Sequence, residues 1–269
     1  MSADVSPATR SVLGRGLAVL GTFTPDRPEQ TLRAIAQASG LPSATAYRLV
    51  AELVGWGALE RVARGRYRVG MRLWEIGSLA PVARGLRDAA LPVLQDLCAV
   101  TGYPVHLVVL DGTHALFLER LAGHTRLELR SQVGKRLPLH ASGPGKVLLA
   151  HAPPDVLDAV LAGGLPRVAS GTITDPGRLT AALAEIRRTG HCLSREEMTD
   201  GAASVAAPVV GPAGEVLAGI SVVVPSDTEN LALLVPAVRM AATAVSRSLF
   251  TEWERPLTPD RGGGHTPGP

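Results

Sequence analysis

The stretch Thr31 to Gly57, TLRAIAQASGLPSATAYRLVAELVGWG, constrains this 269-residue chain more than any other. Its pattern is satisfied by two short amphipathic helices with a tight turn between them. Thr31 caps the first helix, and Leu32, Ile35 and Ala36 make its apolar side. Ser39-Gly40 ends it, because glycine accepts the positive φ of a sharp helix exit. Pro42 suits the first turn of a second helix, where a missing N–H is no loss. Ala46, Leu49, Val50 and Leu53 then follow the i, i+3, i+4, i+7 spacing of one buried stripe. Ala44, Tyr47, Arg48 and Ala51 point the other way, and Ser43 and Thr45 lie near the helix start. Small, hydroxyl and basic groups facing outward from the second helix make this a helix-turn-helix. The competing reading is an ordinary helical hairpin inside an enzyme core.

The neighbouring segments favour DNA. Ser11 to Thr24 supplies a preceding helix that packs on the other two. After Gly57, Ala58 to Val62 reads as a strand, Ala63-Arg64-Gly65 as a turn, and Arg66 to Val69 as a second strand. A basic hairpin directly after a recognition helix is a wing, and Arg64 and Arg66 at its tip reach phosphate or the minor groove. Residues 1–80 carry ten Arg and six Asp or Glu, whereas the remainder carries seventeen Lys or Arg and eighteen acids. The basic excess therefore sits with the helix-turn-helix, as an anionic partner requires.

The rest of the chain reads as a second, α+β domain. Met71 to Thr101 is mostly helical, with an interruption at Pro81. PVHLVVL and HALFLERL flank Asp111-Gly112-Thr113 as a hairpin, and TRLELRSQV alternates as a further strand. LPLHASGPGKVLLA passes through a Gly-rich loop into a helix, and helices follow at Pro154 to Leu161 and Pro176 to Arg188. VAAPVV and EVLAGISVVV form a second hairpin, and Leu231 to Phe250 is a closing helix. The order helix, strands, helices, strands, helix gives a largely antiparallel sheet flanked by helices. Hydrophobic residues at 46% and charged residues at 19% support a buried core. No run of about eighteen apolar residues free of charge predicts a membrane span, and the N-terminus lacks the layout of a secretory signal. Two distant cysteines, Cys98 and Cys192, suit a cytoplasmic protein with reduced thiols.

Catalytic patterns fail on inspection. Gly143 to Lys146, GPGK, is not a Walker loop: His140 stands where the first Gly belongs, and Val147 where Ser or Thr must hold magnesium. What remains is a Gly-rich helix N-terminus able to hold a small anion such as a carboxylate. The sequence lacks a Gly-x-Ser-x-Gly elbow, and its histidines lack metal-ligand spacing, so neither a catalytic residue, a metal site nor a cofactor is expected. His106, His114 and His124 are expected to be exposed or simply hydrogen-bonded, and one of Glu196 and Glu197 to be solvated or a cap. Ser221 lies inside the apolar run GISVVVP, and Ser204 is similar in GAASVAAP. A buried hydroxyl must find backbone, water or ligand, and backbone is the most frequent answer. Ser194 occurs in a polar segment where nothing local demands a ligand.

From about Ser11 to Phe250 the chain resembles the IclR family of bacterial transcriptional regulators. The resemblance is carried by LRAIAQASGLPSATAYRLVAELVGWGALER, LPLHASGPGKVLLA and GHCLSREEMTDGAASVAAPVVGPAGEVLAGISVVVP, in the family's order and spacing. It implies an N-terminal winged helix-turn-helix, a linker helix and a C-terminal GAF-like effector-binding domain with an antiparallel sheet. The expected boundaries are 11–70, 71–84 and 85–252, with a flexible tail at 1–10 and a disordered one at 253–269. The resemblance further implies dimers that often pair into tetramers, a double-stranded operator, and a small organic or aromatic acid as effector.

The family's pocket positions fall on Gly143, Pro144, Ser194, Ser204, Ser221 and Val223. A family acid is replaced by Ser194, and a strand hydroxyl by Val223, so a more apolar ligand than a two- or three-carbon acid is accommodated. Thr31, Ser43, Thr45, Tyr47, Arg48, Arg64 and Arg66 are the expected DNA contacts. The rival readings are a small-acid enzyme with an accessory DNA-binding module, and a constitutive DNA-binding protein whose second domain only oligomerises.

Overall fold

The computed structural model describes residues 11–79, 81–124, 129 and 131–253. Helix α1, Val12–Leu20, is capped by Ser11, whose hydroxyl accepts from the Gly14 N–H. It ends four residues before the expected Thr24. A three-residue strand, β1 (Glu29–Thr31), leads into α2 (Leu32–Ser39), which ends on Gly40 at φ 67°. Helix α3 spans Ser43–Trp56. Pro42 is its N-cap residue rather than part of its first turn, and its carbonyl accepts from the Thr45 and Ala46 N–H groups. Strands β2 (Leu59–Val62) and β3 (Arg66–Val69) form the hairpin.

Strand β1 was not anticipated, because EQT carries no apolar alternation. It pairs with β3 through Glu29↔Arg68 and Thr31↔Arg66, giving the sheet order β1-β3-β2. Its anchor is Gln30, which is buried and donates from Nε2 to the Thr22 carbonyl at 2.8 Å. Val19, Ile35, Leu49, Val50, Leu59 and Tyr67 close the small core beneath.

Helices α4 (Met71–Gly77) and α5 (Pro81–Thr101) follow. Then come β4 (Val105–Asp111), β5 (His114–Leu121), β6 (Arg136–Pro138), α6 (Gly143–His151), α7 (Pro154–Ala162) and α8 (Pro176–Thr189). The chain continues through β7 (Cys192–Arg195), β8 (Ala202–Val210) and β9 (Val216–Pro225), and ends in α9 (Val235–Trp253). The strand expected at Thr125 to Val133 falls mostly outside the described residues, and its last three residues, 131–133, are not strand. The tails at 1–10 and 254–269 also lie outside them.

Six strands form one antiparallel sheet in the order β6-β5-β4-β9-β8-β7. Side chains alternate across it, so each strand serves two cores. Ala203, Val205 and Ala207 with Ile220, Val222 and Val224 face α5 and α9. The segment Leu231–Phe250, which holds most of α9, is long and apolar enough to meet the length and composition of a membrane span. Its Val238, Ala242, Val245 and Leu249 are nevertheless buried in this core. The other face meets α6 and α8 through Val108, Phe117, Cys192 and Ala206.

Candidate functional site

On the outer face of α3, Tyr47 is 59% exposed, and Arg48 and Ser43 are also exposed; Thr45 is half-buried. Thr31 accepts the Ala34 N–H on Oγ1 at 3.3 Å, which leaves its hydroxyl proton free to be donated. Arg64 stands at the hairpin tip with φ 61°. Arg66 is tied to Glu29 at 3.8 Å and Arg68 to Glu60 at 2.8 Å, so part of the wing's positive charge is already answered. Arg48 and Arg64 have no ion-pair partner among the described residues. All seven positions expected to face DNA lie on the helix-turn-helix or its wing.

The second site is built by register. Ser194, Ser204 and Val223 lie in one cross-strand row, because Ser194 pairs with Ser204 and Ser204 with Val223. The adjacent row holds His106, Ser221 and Ala206. Helix α6 brings its N-terminus down onto this face. A Cβ on Gly143 would stand 2.5 Å from Ser204 Oγ, and one on Gly219 would stand 3.1 Å from Pro144. A side chain at either position would force its neighbour to shift, so glycine lets helix and sheet come this close without strain.

The result is a pocket, and all six residues expected at the effector site line it. Ser194, expected in a polar loop where nothing local demands a ligand, is instead buried on β7. Ser221 is 0% exposed, and its Oγ has no hydrogen-bond partner among the described residues, contrary to the expected backbone bond.

The α6 N-terminus is capped by Ser142, whose Oγ accepts from the Gly145 N–H at 3.1 Å. Lys146, one turn in, does not line the pocket. Its Nζ donates to Glu197 Oε1 at 2.5 Å, with both side chains buried. Glu196 instead caps its own loop, accepting from the Gly201 N–H and the Ser226 hydroxyl. His106, expected to be exposed or simply hydrogen-bonded, is 4% exposed and packs edge-on against Phe117, with ring centres 5.3 Å apart. Burial, reinforced by the nearby Arg120 guanidinium, lowers its pKa to about 3, so the imidazole is neutral at physiological pH.

His106 Nε2 lies 3.0 Å from Ser131 Oγ. This pair does not make a nucleophile, because a base with so low a pKa barely accepts a proton. Burial likewise pushes the Cys192 thiol up to about 11, leaving almost none as thiolate. The pocket is therefore suited to holding a ligand through hydroxyls, a helix N-terminus and apolar walls such as Phe117 and Leu137.

Family comparison agrees with this two-part architecture. The model of the IclR helix-turn-helix domain matches residues 12–63, and that of the bacterial transcriptional regulator IclR C-terminal domain matches residues 81–247. This chain belongs to the IclR family.

Among IclR-family relatives, BhcR of Paracoccus denitrificans is 37% identical over 80% of this chain and 79% of its own length. XynR of Escherichia coli is 31% identical over 87% and 95%. An IclR homolog from Microbacterium hydrocarbonoxydans, solved in complex with 4-hydroxybenzoate, superposes with a TM-score of 0.85 at 39% identity. That match covers 90% of this chain and all of the homolog's. The protein is thus an IclR-family DNA-binding transcriptional regulator with the α+β fold of its relatives.

Sequence reasoning passed over His106, Phe117, Ser131 and Glu197 as pocket residues. The first two lie on strands whose alternation could have been extended from the Ser204 and Ser221 face. Glu197 had only its neighbour Glu196 to suggest it. Its partner Lys146 lies 51 residues away, beyond the reach of any local pattern.

Proposed function

We propose that this regulator binds an operator through α3 and the wing, and that a small organic or aromatic acid in the α6 pocket modulates that binding. The observation that carries the reading is convergence. Gly143, Pro144, Ser194, Ser204, Ser221 and Val223 come from four elements and line one pocket. The 4-hydroxybenzoate bound by the Microbacterium homolog supports an acid of this size. The carboxylate is taken to meet the α6 N-terminus at Gly143 with nearby serine hydroxyls, and the hydrophobic part to meet Phe117, Leu137 and Val223.

In this reading Ser43, Thr45, Tyr47 and Arg48 face the major groove or its phosphates, Thr31 bonds phosphate, and Arg64 and Arg66 act from the wing. The winged domain is assigned to 11–70, the linker to 71–84 and the effector domain to 85–252. Exposed Val12, Leu13 and Leu17 on α1 and Met71 and Trp74 on α4 support a homodimer through the DNA-binding half, able to pair again into a tetramer. The protein acts by binding rather than turnover, in the cytoplasm where its operator lies.

The test is a fluorescence-anisotropy titration of DNA flanking its own gene, with and without 4-hydroxybenzoate, at fixed salt. Tight, salt-sensitive binding that shifts at least about tenfold with ligand is expected, which is a coupling of about 1.4 kcal/mol. Unchanged affinity with every small acid tried would favour a constitutive DNA-binding protein.

A further inference from the structure

One charged group in the pocket is left unused by the acid reading. Glu197 is 7% exposed and lines the pocket beside Met198 and Thr199. Its Oε1 is taken by Lys146, but its Oε2 is buried without a hydrogen-bond partner among the described residues. Ser221 Oγ is a second such orphan in the same pocket, and its residue is fully buried. A buried polar atom left unpaired is costly, so an orphan on a residue that lines a binding pocket points to a group that arrives with the ligand.

An ionised carboxylate has acceptor sites only. Whatever meets Oε2 must therefore donate: a hydroxyl, an amine or an amide N–H. A second carboxylate there would be repelled, and a methyl or ether oxygen would leave Oε2 unpaired. Glu197 is the only ionised side chain among the described lining residues, since His106 is neutral and Lys146 is turned to its own partner. The acid end of a ligand then has the α6 N-terminus and the serines, and the other end has Glu197.

We propose that Glu197 is a specificity-determining residue that reads a hydrogen-bond donor on the effector. The effector class is then a monocarboxylic acid bearing a hydroxyl or amino group away from its carboxylate, and this rests on the pocket being the effector site. Lys146 positions the carboxylate by holding Oε1, and Oε2 is left without a protein donor among the described residues.

The experiment is isothermal titration of the full chain with two series. One comprises benzoate, its three monohydroxy isomers, 4-aminobenzoate, 4-methoxybenzoate and terephthalate. The other comprises butyrate with its 3- and 4-hydroxy derivatives. At least one hydroxy or amino acid is expected to bind roughly ten- to a hundredfold more tightly than its parent acid, while terephthalate and the methoxy compound fall with or below the parent. In Glu197→Gln, whose amide keeps an oxygen for Lys146, that preference collapses to within about threefold. A merely structural role for Glu197 would instead weaken all ligands alike, and that result overturns the assignment.

Should Glu197→Gln fail to fold, the series on the unaltered chain decides alone. Parent acids binding as tightly as every donor-bearing derivative would overturn the donor reading and leave the acid reading standing. Failure of every compound to bind would remove both.

Discussion

At Arg64 a non-glycine residue holds φ 61°, at the tip of the wing. A left-handed backbone brings Cβ against the following carbonyl, a strain that asparagine tolerates better than arginine. Arg64→Asn is expected to raise stability by about 0.5–1 kcal/mol while weakening operator binding, read by urea melts and anisotropy. Stability unchanged or lowered would show that Arg64 pays no such strain. Arg48 has no ion pair to lose among the described residues, so Arg48→Ala should leave the melting curve intact. Operator affinity should fall nearly uniformly across sequences if Arg48 holds phosphate, with the salt slope dropping by about one.

His106 carries a pH signature. Its pKa is lowered from 6.5 to about 3 on folding, so the unfolded chain takes up its proton first as pH falls. Its contribution is constant above pH 6.5 and erodes between there and pH 3, at about 1.4 kcal/mol per pH unit. Denaturant melts from pH 7 to pH 4 should show that slope flattened in His106→Gln. An unchanged slope would place the proton uptake elsewhere.

Among elements, α6 decides whether the pocket exists. Its N-terminus rests on the sheet through glycines whose missing Cβ atoms would meet different obstacles. At Gly145 a Cβ would stand 2.5 Å from the Leu139 carbonyl oxygen, which is backbone and cannot swing aside. At Gly143 the obstacle is the Ser204 hydroxyl, which can rotate, although into the pocket. Gly145→Ala should therefore cost about 1–3 kcal/mol of stability, whereas Gly143→Ala costs less but weakens ligand binding. Thermal melts paired with ligand titrations on both variants separate the two outcomes. Equal stability losses would mean that the α6 loop relaxes as a unit.

For the whole molecule, the two domains touch where Lys135 Nζ donates to both Asp26 carboxylate oxygens, at 3.0 and 2.9 Å. Lys135 lies beside the pocket wall, since its carbonyl accepts from the Phe117 N–H. Asp26 is largely exposed, so the pair contributes at most about 1 kcal/mol. In the proposed dimer, association would matter more, because two recognition helices would have to reach two half-sites. Leu13→Asp on the exposed face of α1 should shift sedimentation toward the monomer and cut operator affinity by well over tenfold, with effector affinity unchanged. A variant that remains dimeric would remove α1 from the interface.

The helix-turn-helix was legible from periodicity because its signals are local. Thr31, Gly40 and Gly57 terminate helices within their own turns, and Ala46, Leu49 and Val50 are buried as their spacing requires. The six residues expected at the pocket could be named in advance because the family resemblance carried them. Tertiary structure alone decided three things. It made β1 a strand, since EQT becomes one only when β3 offers a partner and Gln30 finds the Thr22 carbonyl. It moved Ser194 from a polar segment into a buried row, because register with Ser204 sets the face it occupies. It also paired Lys146 with Glu197 rather than setting it in the pocket lining, and left one carboxylate oxygen without a partner among the described residues. Local chemistry can say that a buried charge needs a partner; only the fold brings residues 51 apart in sequence to 2.5 Å and selects which partner it is.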